Sequence, residues 1–212
     1  MSGIPFRELD PQDRYKLLCG VVVPRPIALV TTTDANGSVN AAPFSFFNVF
    51  SHDPAVVALG IERRPGTSIP KDTVLNIREG GEFVVNLVDL PIAEAMNVCA
   101  VDFPQGTDEL AVAGFTAVPA QKVAVPRIAE APAALECRLM QEIRLGEGGK
   151  RSLVLGEILH VHVRDGLVDE RLHVDNEAFL GRLAGAGYVR LSDRFEMKRK
   201  SVAEWEARSA AD

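Results

Sequence analysis

Residues 43–51 form the first stretch whose residue types could do chemistry. Four phenylalanines fall within seven residues here, so the two-residue alternation of a strand cannot place all of them on one buried face. Ser45 and Asn48 add hydrogen-bonding groups among the rings. A planar, amphipathic ring system bound against this segment would explain the pattern. A core strand that flanks a contact between two subunits would explain it equally well.

Residues 67–73 form a second such stretch, which combines one lysine with several hydroxyl groups. Asp72 is the predicted N-cap of a short helix over 73–79, so the free N–H groups of the helix start would lie near Lys71. A phosphate monoester binds to that combination of charge and donors. The alternative is that Asp72 only caps the helix while Lys71 is solvated. Because its carboxylate would repel phosphate, Asp72 is expected to cap the helix or orient Lys71.

Motifs of several other activities are missing. The sequence has no G-x-S-x-G elbow, no H-E-x-x-H helix and no P-loop. The glycine-rich stretch 181–187 lacks the G-x-G-x-x-G spacing of a Rossmann site. His160 and His162 would share one face of a strand, but neither remaining histidine has metal-site spacing to this pair. The sequence therefore predicts no metal site and no catalytic residue.

Composition sets the class of protein. A chain of 212 residues that is 47% hydrophobic and 25% charged is typical of a globular protein. Its net charge of −6 argues against a nucleic-acid binder. No apolar run approaches the roughly 20 residues of a membrane span. The three cysteines are widely spaced and no signal peptide is evident in residues 1–10, which predicts reduced thiols in a cytoplasmic protein.

The elements that position these segments are mostly strands. The sequence predicts a helix over 13–19 that ends at Gly20, a strand that begins after Pro26, and a hairpin turn at 34–37. Helical spacing follows over 92–99, and an irregular stretch over 102–122 is interpreted as a lid. Alternating strands start near Leu135 and Leu153. These patterns predict one domain, 1–212, mainly β with α additions, with a polar tail or helix from about 196.

The order of short motifs resembles the flavin reductase-like domain family, which includes flavoredoxin. The resemblance covers about residues 15–190. The motifs that carry it are Pro24-Arg25-Pro26-Ile27-Ala28, Asn40-Ala41-Ala42-Pro43-Phe44-Ser45-Phe46-Phe47-Asn48, Lys71-Asp72-Thr73 with Asn76, Glu82-Phe83-Val84-Val85-Asn86, Leu135-Glu136-Cys137, Gly156-Glu157-Ile158 and Gly181-Arg182-Leu183-Ala184-Gly185 with Tyr188.

This resemblance implies an FMN-binding split β-barrel of antiparallel, Greek-key type, which forms a homodimer with FMN at the subunit interface. The isoalloxazine would lie along residues 45–48, and the phosphate would lie near residues 68–73. Residues from the partner subunit usually complete such a pocket, and His173, Arg182 and Tyr188 are expected to be among those residues. The expected cofactor-binding residues are Ser45, Phe46, Phe47, Asn48, Ser68, Lys71, Asp72, Thr73, His173, Arg182 and Tyr188.

The function implied by the resemblance is that of an NAD(P)H-dependent flavin oxidoreductase. The nicotinamide would reduce the flavin, which would pass electrons to an acceptor that the sequence does not identify, and the protein would need no nucleophile. Two alternatives stay open. One is an FMN-binding electron carrier without its own nicotinamide site, and the other is a non-catalytic split-barrel binding protein.

Overall fold

The structure is a computed structural model that describes residues 3–209. Its strands are Arg25–Pro26 (β1), Ala28–Thr33 (β2), Val39–Phe44 (β3), Phe47–His52 (β4), Ala55–Glu62 (β5), Glu82–Leu87 (β6), Ala117–Val118 (β7), Arg127–Ile128 (β8), Ala133–Leu145 (β9), Arg151–Val163 (β10), Leu180–Arg182 (β11) and Tyr188–Arg190 (β12). Its α-helices are Pro11–Val21 (α1), Asp72–Gly80 (α2), Ala93–Val98 (α3), Glu109–Ala113 (α4) and Val202–Ser209 (α5), with short 3-10 helices at Phe6–Glu8 and Leu90–Ile92.

Seven strands form one antiparallel sheet that curls on itself. Their order is β3-β2-β6-β9-β10-β5-β4. The two edge strands, β3 and β4, follow each other in the chain through the bend at Ser45 and Phe46, so the edges of the sheet are drawn together. The concave face buries a core that includes Phe83, Leu59 and Val30. The expected antiparallel, mainly β architecture with helical additions is confirmed.

A second apolar cluster fills the space between the sheet and two short helices. Met96 of α3 and Leu110 of α4 are both 2% exposed and pack with Leu29 of β2. Phe115, just after α4, is buried in the same cluster. Residues 102–122 are therefore partly helical and are packed against the sheet by these apolar side chains. The interpretation of this segment as a lid stays a prediction.

A three-stranded sheet, β1-β11-β12, brings the end of the chain back to its beginning. Pro26 pairs with Gly181, and a Cβ at Gly181 would lie 2.5 Å from the Cβ of Pro24, so only glycine allows this approach. Arg25 is 6% exposed, and its guanidinium donates to the carbonyl oxygens of Cys19, Val22 and Leu183. The sequence predicts a strand only after Pro26. The structure adds the short strand β1 before it, and β1 belongs to a different sheet.

Two helix boundaries differ from the sequence prediction. Helix α1 begins after Asp10, whose carboxylate accepts two backbone N–H bonds, and it continues through Gly20. In α2 the N-cap is Lys71, so Asp72 is not the cap. The Asp72 carboxylate instead accepts a hydrogen bond from Arg64 at 2.6 Å. The helix ends at Gly80, one residue beyond the predicted end, and Gly81 follows with a left-handed φ of 70°.

The predicted hairpin turn at 34–37 and the later alternating strands are confirmed by the pairing of β2 with β3 and of β9 with β10. The polar C-terminal segment includes α5. None of the helices in residues 3–209 has the length and apolar run that crossing a membrane requires.

Candidate functional site

The bend between β3 and β4 lies against a cavity of about 310 Å³. Four parts of the chain close around it: the bend itself, α1, the start of α2, and the β11–β12 hairpin. The lining residues are Tyr15, Ile27, Pro43, Phe44, Ser45, Phe46, Gly60, Glu62, Arg63, Pro65, Lys71, Met96, Asn97, Ala100, Arg182 and Tyr188. A volume of this size is within the range of small-molecule and cofactor sites.

One wall of the cavity is aromatic and apolar. The Phe46 ring lies 6.0 Å from the Tyr15 ring, centroid to centroid, and is 39% exposed. The carbonyl of Phe46 accepts the N–H of Gly60 at 2.7 Å, and a Cβ at Gly60 would lie 3.0 Å from the Cβ of Phe46. Burial raises the pKa of the Tyr15 hydroxyl, so this group stays a neutral donor near neutral pH. The wall can therefore contact the face of a planar ring.

Three cations reach the same cavity from separate elements. The Lys71 ammonium is 31% exposed, lies 3.9 Å from an Asp102 carboxylate oxygen, and lies 5.9 Å from the centre of the Phe44 ring. Arg63 donates to loop carbonyls from one Nη, while its Nε is buried and has no hydrogen-bond partner among the described residues. Arg182 is the third. This charge favours a ligand with an anionic group.

Arg182 and Tyr188 form one structural unit. The two residues pair directly across the β11–β12 hairpin, and the guanidinium carbon lies 4.4 Å from the centre of the Tyr188 ring. Arg182 also donates to the carbonyl oxygens of Gly185 and Gly187, which fixes it to the hairpin loop. Both side chains also line a neighbouring cavity of about 550 Å³. The hairpin therefore presents a stacked cation and phenol to the ligand space.

A smaller cavity of about 90 Å³ adjoins the first at Lys71. Thr73 is 1% exposed there, and its hydroxyl accepts a hydrogen bond from Asn40 at 3.1 Å. Burial raises the pKa of Glu109, whose carboxylate accepts the N–H of Ala41. Burial also raises the pKa of the Cys99 thiol to about 12, so this cysteine is not an ionised nucleophile at neutral pH.

The structure brings five of the residues predicted from sequence into the larger cavity: Ser45, Phe46, Lys71, Arg182 and Tyr188. Asp72 and Thr73 line the smaller one beside it. In this arrangement Asp72 does not orient Lys71, because its carboxylate pairs with Arg64 while Lys71 faces Asp102.

Four predicted residues lie elsewhere. The Phe47 side chain is 8% exposed and belongs to the barrel core, because β4 begins at Phe47 with this side chain turned inward, whereas Phe46 still lies in the bend. Asn48 is exposed and accepts the N–H of Val49. Ser68 lines a separate cavity of about 240 Å³ on the other side of Arg63. His173 is 76% exposed beside Asp169 and lines none of these cavities of its own chain, so its expected contribution from the partner subunit stays a prediction.

Sequence reasoning missed several lining residues. Arg63 had a usable signal, because it belongs to a basic pair that directly precedes Pro65-Gly66. Tyr15 and Met96 had none, since each lies on a helix whose sequence indicates only packing. Arg25 does not line the cavity, but its Nε donates to the hydroxyl of the lining residue Ser45 at 3.4 Å.

Comparisons with known proteins agree with this geometry. Residues 21–180 match a family model described as "Flavin reductase like domain". An uncharacterized protein from Deinococcus radiodurans is 44% identical over 208 residues, which cover 93% of this chain and 89% of that protein.

Two solved structures superimpose over nearly the full chain. Nitrilotriacetate monooxygenase component B from Bacillus cereus has a TM-score of 0.88 at 33% identity, and covers 93% of this chain and 98% of its own. The 2-nitrobenzoate 2-nitroreductase NbaA from Pseudomonas fluorescens has a TM-score of 0.85 at 38% identity, and covers 95% of this chain and 98% of its own. The expected split-barrel fold is confirmed.

Proposed function

This chain belongs to the flavin reductase-like domain family, and from that membership we propose that it is an NAD(P)H-dependent flavin oxidoreductase that binds FMN at the interface of a homodimer. The observation that carries the proposal is the cavity at the β3–β4 bend. It combines an aromatic, apolar wall with the cations of Arg63, Lys71 and Arg182. An amphipathic ring with an anionic tail has the matching chemistry.

The residues present fit FMN. Lys71 and Arg63 would hold the phosphate, because they are the cations beside the start of α2. Ile27, Phe44 and Phe46 would contact the ring and exclude water from one of its faces. Bound FMN would supply the hydride and electron chemistry, which side chains alone do not provide. The protein's own task would be to bind and orient the flavin.

A second copy of the chain would complete the site. Apolar side chains of α1 and its extension are exposed, including Val21 at 66% and Val22 at 56%. On β4, Val49 is 53% exposed and Phe50 is 70% exposed. Large apolar residues on neighbouring surfaces support a protein interface. Light scattering that gives the mass of a monomer at micromolar concentration would contradict this part of the proposal.

Two classes of electron acceptor, free flavin and a nitroaromatic compound, can be tested. The two superimposed proteins are a monooxygenase component and a nitroreductase. We propose that the reduced protein passes electrons to free flavin, and we make reduction of a nitroaromatic the competing outcome. Turnover with 2-nitrobenzoate but without added free flavin would favour the nitroreductase class.

The three cysteines form no disulfide, which supports a cytoplasmic location.

The deciding experiment is anaerobic reduction followed in the visible spectrum. The purified chain is reconstituted with FMN, and NADH or NADPH is then added in separate cuvettes. Bleaching of the flavin band with either nucleotide supports the oxidoreductase. A protein that binds FMN but is bleached only by dithionite would be an electron carrier. A protein that does not bind FMN would be a split-barrel binding protein with another ligand.

A further inference from the structure

Two neighbouring strands bring a carboxylate and two imidazoles together on the barrel. Glu136 of β9 pairs directly with His160 of β10, and His162 lies on the same face two residues further along. One potential ligand atom from each residue lies within 4.8 Å of the other two. The Nε2 of His162 is 2.5 Å from the Oε1 of Glu136. We propose that these three residues form a binding site for a zinc ion.

The donor set suits zinc. Zinc binds imidazole nitrogen and carboxylate oxygen at about 2.0–2.2 Å, and two histidines with one glutamate leave its fourth position open to water. Ligand atoms on a tetrahedral ion at those bond lengths are about 3.3 Å apart. Rotation of the two imidazoles would lengthen the short His162–Glu136 contact and shorten the longer separations between the three ligand atoms, which are at most 4.8 Å. The backbone of the paired strands would not have to move.

The surroundings of Glu136 already hold its carboxylate in place. The residue is fully buried, and its two oxygens accept the N–H groups of Gln121 and Lys122 at 2.7 and 2.5 Å. Ligating carboxylates are commonly held by such outer hydrogen bonds, which fix their orientation before the ion arrives. A metal would take the place of the His162 proton on Oε1 and would leave both backbone bonds intact.

His160 distinguishes a metal site from a structural anchor, in which Glu136 and His162 would only hydrogen-bond to each other and to the backbone of residues 121–122. An anchor for residues 121–122 needs only Glu136 and His162. The His160 ring makes no hydrogen bond with the described residues and meets the His162 ring edge-on, with centroids 4.7 Å apart and planes at 64°. Its ring nitrogens are thus available to an ion.

The site lies away from the proposed flavin cavity and does not depend on it. None of the three residues lines the cavity at the β3–β4 bend. Glu136 sits between Val84 on β6 and His160 on β10, on the face of the sheet that packs against Val123 and Val125. His162 is 19% exposed and borders a surface cavity of about 360 Å³, which gives an ion a route in.

The absence of a metal site was expected from sequence because neither remaining histidine has suitable spacing to the pair. That reason does not hold, because the third ligand is a glutamate on the neighbouring strand. Whether the chain binds a metal ion there is decided by the following measurement.

The test measures zinc and cobalt binding by the untagged chain. The protein is stripped with chelator, dialysed against Zn²⁺ and assayed for metal per chain, and Co²⁺ is titrated while visible absorption is recorded. The test variant is His160→Ala, with His160→Gln as a second variant if alanine alters the fold. His52→Ala is the matched control, because His52 is an exposed histidine at the end of β4 and lies on neither of the strands that carry the cluster.

The expected result is one equivalent of zinc with visible cobalt bands for the unmodified chain and for the control. Either His160 variant should bind zinc at least tenfold more weakly and lose the cobalt bands. Zinc should also raise the Tm of the unmodified chain and leave the Tm of the His160 variants unchanged. Failure to retain zinc, or equal binding by the His160 variants, would overturn the site and leave Glu136 and His162 as an anchor only.

Discussion

Replacing Lys71 with alanine is expected to weaken FMN binding about 10- to 30-fold and to leave riboflavin binding within about twofold. Riboflavin has the same ring but no phosphate, so the difference between the two ligands isolates the phosphate contact. Lys71 suits this test because its ammonium lines both cavities and has only a distant ionic partner, Asp102 at 3.9 Å.

The expected loss of FMN affinity follows from the exposure of the Lys71 side chain. A hydrogen bond to a charged group contributes about 1.5–3 kcal/mol, and the lower end applies to a side chain that stays 31% exposed. About 1.5–2 kcal/mol corresponds to the stated factor, since each 1.4 kcal/mol changes affinity tenfold. Loss of the long Lys71–Asp102 contact should cost less than about 1 kcal/mol of stability, so the variant should fold normally.

The assay is fluorescence titration of the stripped protein with each flavin. Lys150→Ala is the informative comparison, because Lys150 lines the separate cavity that contains Ser68. Lys16→Ala, at an exposed pair with Asp13, controls for general charge. If Lys150→Ala weakens FMN selectively while Lys71→Ala does not, the phosphate lies beside Ser68 and the assignment to Lys71 is refuted. An equal loss of riboflavin affinity would mean that Lys71 supports the ring.

Three further predictions concern stability. Arg25→Met should lower the free energy of unfolding by about 2–4 kcal/mol, because one buried and two partly buried carbonyl oxygens lose their donor; a urea midpoint within error of the unmodified chain would contradict this. Gly156→Ala should cost about 1–3 kcal/mol, because its Cβ would lie 2.8 Å from Cε1 of the buried Phe83, and adding Phe83→Leu should recover part of the loss in the same titration. Arg78 lowers the pKa of Glu142 to about 2 from an ordinary value of 4.5, so this pair stabilises the fold above pH 4.5 and its contribution is lost as pH falls toward 2. Glu142→Gln should therefore flatten the Tm profile across that window, and a parallel profile would show that the pair contributes nothing.

Much of the secondary structure follows from local chemistry. The Asn36-Gly37 turn, the strand alternation after Leu135 and the helix end before Gly81 each depend on neighbours in the chain, and the structure has all three. Asp72 shows where local reasoning fails. Its type and position predict a helix cap. In the structure an Nη of Arg64 donates to the Asp72 carboxylate at 2.6 Å, and Lys71 is the N-cap residue.

In the candidate site, too, local sequence predicts some features and only the tertiary structure decides the others. The sequence by itself determined the aromatic segment, the lysine-hydroxyl segment and the order of motifs that identifies the family. It did not determine which phenylalanine faces the cavity, because the bend between β3 and β4 turns Phe46 outward while Phe47, the first residue of β4, lies in the core. Long-range pairing likewise decided that Arg182 joins the site and that Glu136 meets His160. Residues far apart in the chain are brought together by sheet register and packing, which local sequence patterns do not encode.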